Sequence, residues 1–328
     1  MAAVAVVGAT GAVGQEMVTV LEERGFGVTD LRLLASERSD GRTLRAFGRE
    51  HEVRPAEPGA FAGVDLALFS AGADVARALA PAARAAGALV IDNSSAFRLD
   101  PKCPLVIPEL NGDTLGSHAG IVANPNCSTI LLCMAVAPLH RAVGVTRIVV
   151  CSYQAVSGAG ARAIEEMRRQ EEADRTGRAP DCAVFPAVIA HNVIPWVQAI
   201  DADGHSTEET KVRDETRRIL GLPDLPVGAT CVRVPVWRAH AEAVHVALER
   251  PLSPADALAL YDEAPGIRGR RGDIPTPREV SGTDDVYVGR VRTDRAFEPG
   301  LALWCVMDQL RKGAALNAVQ IAECALRN

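Results

Sequence analysis

Residues 2–7 (AAVAVV) form an unbroken apolar run of strand length. Continuous apolarity, in place of alternation, predicts a parallel strand buried on both faces. Residues 8–14 (GATGAVG) then read as a tight turn opening into a helix through about Arg24. Further strands are predicted at Leu31–Ala35, Leu66–Ser70 and Leu89–Asp92, with an Ala-rich helix from about Ala73 to Ala86. Strands alternating with helices at this spacing predict an α/β domain with a Rossmann-type, doubly wound parallel sheet.

After about residue 126 the pattern changes. A helix over about 128–141 leads to strand Arg147–Tyr153, and a Glu- and Arg-rich helix follows to about residue 175. Strand patterns recur at Thr230–Pro235, Ala243–Leu248, Val286–Val291 and around Leu301–Met307, with fewer crossover helices between them. This predicts a second, α+β domain with a mixed or antiparallel sheet. An amphipathic helix from about Lys312 to Leu326 closes the chain and is expected to pack back on the first domain. The expected division is therefore residues 1–126 plus 314–328 as one domain and 127–313 as the other.

Length agrees with two domains, since 328 residues exceed what one hydrophobic core usually serves. Aromatic residues make up only 4% of the chain, so Ala, Val, Leu and Ile must build the cores. A net charge of −6 argues against a nucleic-acid partner, which needs a basic field. The apolar start has no basic flank and is not a signal peptide. No apolar run reaches bilayer length. A cytoplasmic protein without membrane contact is expected. Its eight cysteines (103, 127, 133, 151, 182, 231, 305 and 324) include no C-x-x-C pair, so no metal site is expected.

Gly8, Gly11 and Gly14 sit where the first strand meets its helix. Missing side chains there let the backbone approach a pyrophosphate, and the helix start offers free N–H groups. The turn residues Thr10, Ala12 and Val13 belong to the same candidate cofactor loop. At the end of the second strand an NAD site would place an acidic residue for the ribose 2′-hydroxyl. Here Ser36, Arg38 and Ser39 offer a guanidinium between two hydroxyls, which suits the 2′-phosphate of NADP. Glu37 would have to point away.

Residues 121–127 (IVANPNC) run through an Asn-Pro-Asn turn into a helix. Cys127 therefore stands at a helix N-terminus, where the dipole favours a thiolate.

At this point the chain resembles the aspartate-semialdehyde dehydrogenase family along essentially its whole length. The match is carried by GATGAVGQEM (8–17), SERS (36–39), IDNSSAFR (91–98), NPNCST (124–129) and SYQAVSGAG (152–160). It continues with TEETK (207–211), CVRVPV (231–236) and RKGAALNAVQIAE (311–323). The resemblance implies NADPH-dependent reductive dephosphorylation of L-aspartyl 4-phosphate to L-aspartate 4-semialdehyde through a thioester on Cys127. It further implies His240 as acid/base, Gln154 as the residue that positions substrate or thioester, and a homodimer or homotetramer.

Each helper also has a physical case. Imidazole titrates near neutral pH, so His240 is a plausible base for the thiol, and the other six histidines lack supporting context. An amide such as Gln154 can donate to an oxyanion without changing charge. Arg98 and Lys211 suit the leaving phosphate. Glu208 and Lys211 share a helix face, and Ser206 with Glu209 fits a capping box. By resemblance alone, Glu208 receives the substrate ammonium and Arg233 the α-carboxylate. Buried among apolar residues, Arg233 would be costly without an anion. Seven positions separate Arg233 from His240, so a bend must intervene if both face one pocket. Ser157 and Gly158 are expected in a flexible loop near the nicotinamide, and Asn317 resembles a cofactor contact.

Two departures from the family pattern stand out. The usual Gly-His-Ser is Ala239-His240-Ala241, and the usual Asp-Asn is Asp308-Gln309. Both bear on fine positioning. The competing readings are an N-acetylglutamyl-phosphate reductase-like enzyme and a catalytically weak paralogue.

Overall fold

The computed structural model describes residues 1–327. The chain divides into two compact units, Met1–Asn126 with Ala314–Asn328, and Cys127–Gly313.

In the first unit β1 (Ala2–Val7) leads through the glycine turn into α1 (Ala12–Glu23), followed by β2 (Val28–Ala35). An edge hairpin of β3 (Thr43–Ala46) and β4 (Arg49–Pro55) comes next, then β5 (Leu66–Phe69), α2 (Ala73–Ala85) and β6 (Leu89–Asp92). The short helix α3 (Pro108–Asn111) and strand β7 (Ile121–Ala123) complete this stretch. The seven strands are ordered β3-β4-β2-β1-β5-β6-β7. All pair in parallel except β3 with β4.

Alternation along each strand explains the layers. Val4 and Val6 join Leu33, Leu68 and Ile91 in one core. Ala5 and Val7 join Leu34, Ala67, Phe69 and Val90 in the other, beneath Leu79, Ala80 and Ala83 of α2. Alanine, with little volume, lets α2 lie close over its face.

The second unit opens with α4 (Cys127–Val143), then β8 (Val145–Gln154), α5 (Ala161–Arg175), α6 (Thr207–Leu220), β9 (Val227–Arg233) and β10 (His240–Leu248). It continues through α7 (Pro254–Glu263), β11 (Ile267–Gly269), α8 (Pro277–Val280), β12 (Val286–Thr293) and β13 (Gly300–Met307). A six-stranded mixed sheet results, ordered β11-β12-β13-β10-β8-β9. The helix α4 is buried from Ser128 to Leu139 and packs on the sheet and on α6. A π-helical turn, Arg311–Ala315, precedes α9 (Leu316–Arg327). Residues Ala315 to Ala322 enter the core of the first unit.

The second strand starts earlier, at Val28, and the polar pair β3–β4 was absent from the hydrophobic pattern. The bend expected between Arg233 and His240 is present, because β9 ends at Arg233 and β10 begins at His240. The Ser157–Gly158 segment is no flexible loop. It is a 3-10 turn, Val156–Ala159, whose Val156 and Ser157 amides donate to the carbonyls of Val236 and Trp237. Among the described residues no helix is long and apolar enough to cross a membrane.

Candidate active site

In the first unit, Gly8 follows β1 with φ +86°, a conformation that favours glycine. A Cβ on Gly14 would overlap the Gly8 carbonyl oxygen, so only glycine lets α1 begin this close to the turn. Gly11 is the N-cap and makes no side-chain cap, leaving the first amides at Ala12 and Val13 available to an anion. The Thr10 hydroxyl lies 3.3 Å from that of Ser39. Ser39 is buried, while Ser36, Glu37 and Arg38 are exposed at the end of β2. This cradle fits a dinucleotide pyrophosphate, and the exposed Arg38 fits a further phosphate.

Arg98, also in the first unit, is buried, with Nε donating to the Asn124 carbonyl at 2.9 Å and Nη2 to that of Asn93 at 2.8 Å. Asn317 is fully buried and its amide donates to Val106 O at 2.9 Å and Asn124 Oδ1 at 2.6 Å. These bonds fasten α9 to the backbone at Val106 and to the Asn124 side chain.

The second unit gathers the chemistry on the inner face of its sheet. Cys127 is the first residue of α4 and is half-buried. The chain returns beside it at Gly313, where an added Cβ would come within 3.1 Å of Cys127 Cβ. Burial pushes the thiols of Cys133, Cys231 and Cys305 up, which leaves those three as inert core residues.

Gln154, at the end of β8, is buried and donates through Nε2 to Ser128 Oγ at 2.7 Å and to Glu208 Oε1 at 3.2 Å. Glu208 itself is buried in the first turn of α6. The capping box is present: Ser206 Oγ accepts from Glu209 N, and Glu209 Oε2 accepts from Ser206 N. Glu208 is thus left to face inward, with Lys211 Nζ 3.6 Å from Oε2. Lys211 also donates to Gln198 Oε1 at 2.7 Å.

Arg233 is buried, donates from Nη1 to the Ala155 carbonyl at 2.7 Å, and lies over the Phe185 ring with 5.9 Å from Cζ to the centroid. Burial works against its charge, while Glu208 and Cys127 favour it. A cavity of about 420 Å³ opens beside it, lined by Gly158, Phe185, Trp196 and Gln198 among others.

His240 is fully buried at the start of β10. Burial and the nearby Arg233 hold its pKa well below the ordinary 6.5, so the ring is neutral at physiological pH. Nδ1 accepts the Ala155 amide hydrogen at 3.0 Å, and Nε2 has no hydrogen-bond partner. A neutral imidazole that accepts at Nδ1 carries its proton on Nε2. The resting ring therefore offers a donor at Nε2. A Cβ on Gly158 would stand 3.0 Å from His240 Nε2 and 3.1 Å from Arg233 Nη1, so glycine keeps the space over both open.

Two features escaped the sequence reading. Ala239, immediately before His240, is buried with φ +71°, which costs a non-glycine residue about 1 kcal/mol. Its amide donates to Gln309 Oε1 at 2.7 Å. Glu242, two residues beyond His240 and so on the same strand face, is fully buried with neither carboxylate oxygen hydrogen-bonded. Burial and Glu208 hold its carboxyl well above the ordinary range. An acid inside the apolar alternation of β10 was the available signal. Among the described residues no cluster could hold a metal ion.

Comparison with known proteins agrees across both units. The family model described as "Semialdehyde dehydrogenase, NAD binding domain" matches residues 3–118, and "Semialdehyde dehydrogenase, dimerisation domain" matches residues 136–312. An aspartate-semialdehyde dehydrogenase of Aquifex aeolicus is 46% identical, covering 99% of this chain and 98% of the relative. One of Synechocystis is 45% identical, covering 98% and 96%. The crystal structure of aspartate semialdehyde dehydrogenase II from Vibrio cholerae complexed with ASA superposes with a TM-score of 0.98 at 44% identity. It covers 100% of this chain and 99% of that one.

Proposed function

The chain belongs to the aspartate-semialdehyde dehydrogenase family, and from that premise we propose that it reduces L-aspartyl 4-phosphate to L-aspartate 4-semialdehyde and phosphate through a thioester on Cys127. One observation carries the reading. A helix-start thiol, a buried guanidinium, a carboxylate and an amide converge with a neutral imidazole on one sheet face.

The residues divide the work as follows. Cys127 attacks the acyl phosphate; the carbon–sulfur bond forms as the carbon–oxygen bond to phosphate breaks. The α4 N-terminus and Arg233 favour the anionic sulfur. Arg233 binds the α-carboxylate, Glu208 the α-ammonium and Lys211 the phosphate. Gln154 orients the substrate carbonyl. NADPH, when bound, supplies the hydride that reduces the thioester to a thiohemiacetal. His240 Nε2 donates its proton to the thiohemiacetal oxygen and takes it back as the carbon–sulfur bond breaks, releasing aldehyde and thiolate.

Gly8, Thr10, Gly11, Ala12 and Val13 hold the pyrophosphate of NADP, Ser36, Arg38 and Ser39 its 2′-phosphate, and Ser157 with Gly158 lies at its nicotinamide end. The active form is a homodimer or homotetramer, in keeping with the dimerisation-domain match. Free cysteines throughout suit a reducing cytoplasm.

The test is substrate-resolved. Purified protein should reduce NADP⁺ with L-aspartate 4-semialdehyde and phosphate, and Cys127→Ser should lose at least about a thousandfold of that rate. Activity confined to an N-acetylglutamate semialdehyde would overturn the substrate, and inactivity with both would favour a weak paralogue. Arg38→Ala should weaken NADP⁺ far more than NAD⁺; equal loss would sink the 2′-phosphate contact.

A further inference from the structure

The segment entering β10 is held by two consecutive residues at the end of β13. Asp308, fully buried, accepts from Arg238 Nε at 2.5 Å and from Gly282 N at 2.6 Å. The next residue, Gln309, is also buried and reaches the next residue of the facing segment, accepting the Ala239 amide hydrogen at 2.7 Å. Its Nε2 donates to Ser157 Oγ. Gln309 therefore joins the backbone in front of His240 to the 3-10 turn that carries Gly158 over His240 Nε2.

The two departures from the family pattern meet in one hydrogen bond. Ala239 holds a left-handed conformation that its side chain disfavours, and the bond from its amide to Gln309 fixes it there. Asn is one methylene shorter than Gln, so at position 309 it could not span both the Ala239 amide and the Ser157 hydroxyl with these backbones in place. On the same turn, the Ala155 amide fixes the His240 tautomer through Nδ1. Backbone drift at Ala239 or at Ser157 would therefore move the imidazole against its own anchor.

We propose that Gln309 is a positioning residue for His240, clamping Ala239 and Ser157 so that Nε2–H is presented to the reacting oxygen. It acts through the backbone, and its effect belongs to the proton-transfer step. The kinetic part of the inference rests on the proposed activity, whereas the imidazole geometry is measurable without turnover.

The experiment compares Gln309→Ala, Gln309→Asn and Gln309→Glu. With L-aspartate 4-semialdehyde, phosphate and NADP⁺, Gln309→Ala and Gln309→Asn should lower kcat by roughly tenfold to a hundredfold, the cost of a misplaced catalytic group. KM for the semialdehyde and for NADP⁺ should stay within about twofold. Gln309→Glu keeps an acceptor for Ala239 and accepts from the Ser157 hydroxyl, so it should recover most of kcat. Imidazole nitrogen NMR should place the proton on Nε2 of His240 in the parent and in Gln309→Glu, and report a mixed tautomer in Gln309→Ala. Unchanged kcat with a lowered melting point would overturn the clamp as merely structural. A raised KM for NADP⁺ at unchanged kcat would overturn it in favour of a cofactor contact. An inactive parent with the expected NMR pattern would sink the activity but keep the geometry, and an unaltered tautomer in Gln309→Ala would sink the geometry.

Discussion

At the residue scale, the polar groups of the second unit lie in two rows across the inner sheet face. His240 is registered opposite Met307 on β13, and Gln154 opposite Arg233 on β9. One row deeper, Glu242 lies between Cys305 and Ser152, and Ser152 opposite Cys231. The deeper row has a measurable consequence. Glu242 is held protonated in the folded chain, whereas an unfolded glutamate ionises near 4.5. The folded state therefore binds the extra proton above that pH, and its stability falls as pH rises from 4.5 toward the folded value. Glu208 from α6 adds to the effect by opposing a second negative charge. Glu242→Gln has no such proton to lose. Its melting temperature relative to the parent should rise steadily from about pH 5 to about pH 8, and a difference that stays flat would refute a neutral Glu242. The placing of Cys127 at a helix start and of Arg233 in an apolar strand was legible in the sequence, because both are local signals. The His240 tautomer was not, since the amide that sets it belongs to Ala155, 85 positions away.

At the element scale, hydrophobic pattern located the central strands and failed at the edge. The strands β1, β5 and β6 are apolar runs buried on both faces, so composition alone reveals them. By contrast β3 and β4 read TLRA and REHEVRP, mostly polar because one side meets solvent. Their two-residue turn, Phe47-Gly48, holds φ of 49° and 73°, the left-handed pair that matches a hairpin's twist. A phenylalanine in that place gives no turn signal. The bend between Arg233 and His240 followed from their odd spacing, but its left-handed residue did not, since that residue is Ala239 and not glycine. Where glycine is present, close approach is testable. A methyl at Gly14 would press on the Gly8 carbonyl, so Gly14→Ala must shift α1 away from the turn. NADP⁺ affinity, read by fluorescence or calorimetry, should fall by at least about tenfold. Unchanged affinity would mean that the turn does not form the pyrophosphate cradle.

At the scale of the whole molecule, division of labour follows from chain order. The first unit carries the glycine turn and Arg38, and takes α9 into its core from the far end of the chain. The second unit begins at Cys127, the proposed nucleophile, and contains Gln154, Glu208, Arg233 and His240. Two doubly-wound faces were readable from strand–helix alternation, whereas the order of the six-stranded sheet was not. Its strands pair across long sequence gaps, β8 with β10 and β10 with β13, which no local pattern encodes. The central claim, a covalent thioester on Cys127, is tested most directly by rapid mixing of the protein with NADP⁺ and L-aspartate 4-semialdehyde in the absence of phosphate. A thioester predicts a burst approaching one NADPH per chain, an added aspartyl group on the peptide containing Cys127, and renewed turnover once phosphate is supplied. Steady NADPH formation without phosphate, or a burst that survives in Cys127→Ser, would contradict it.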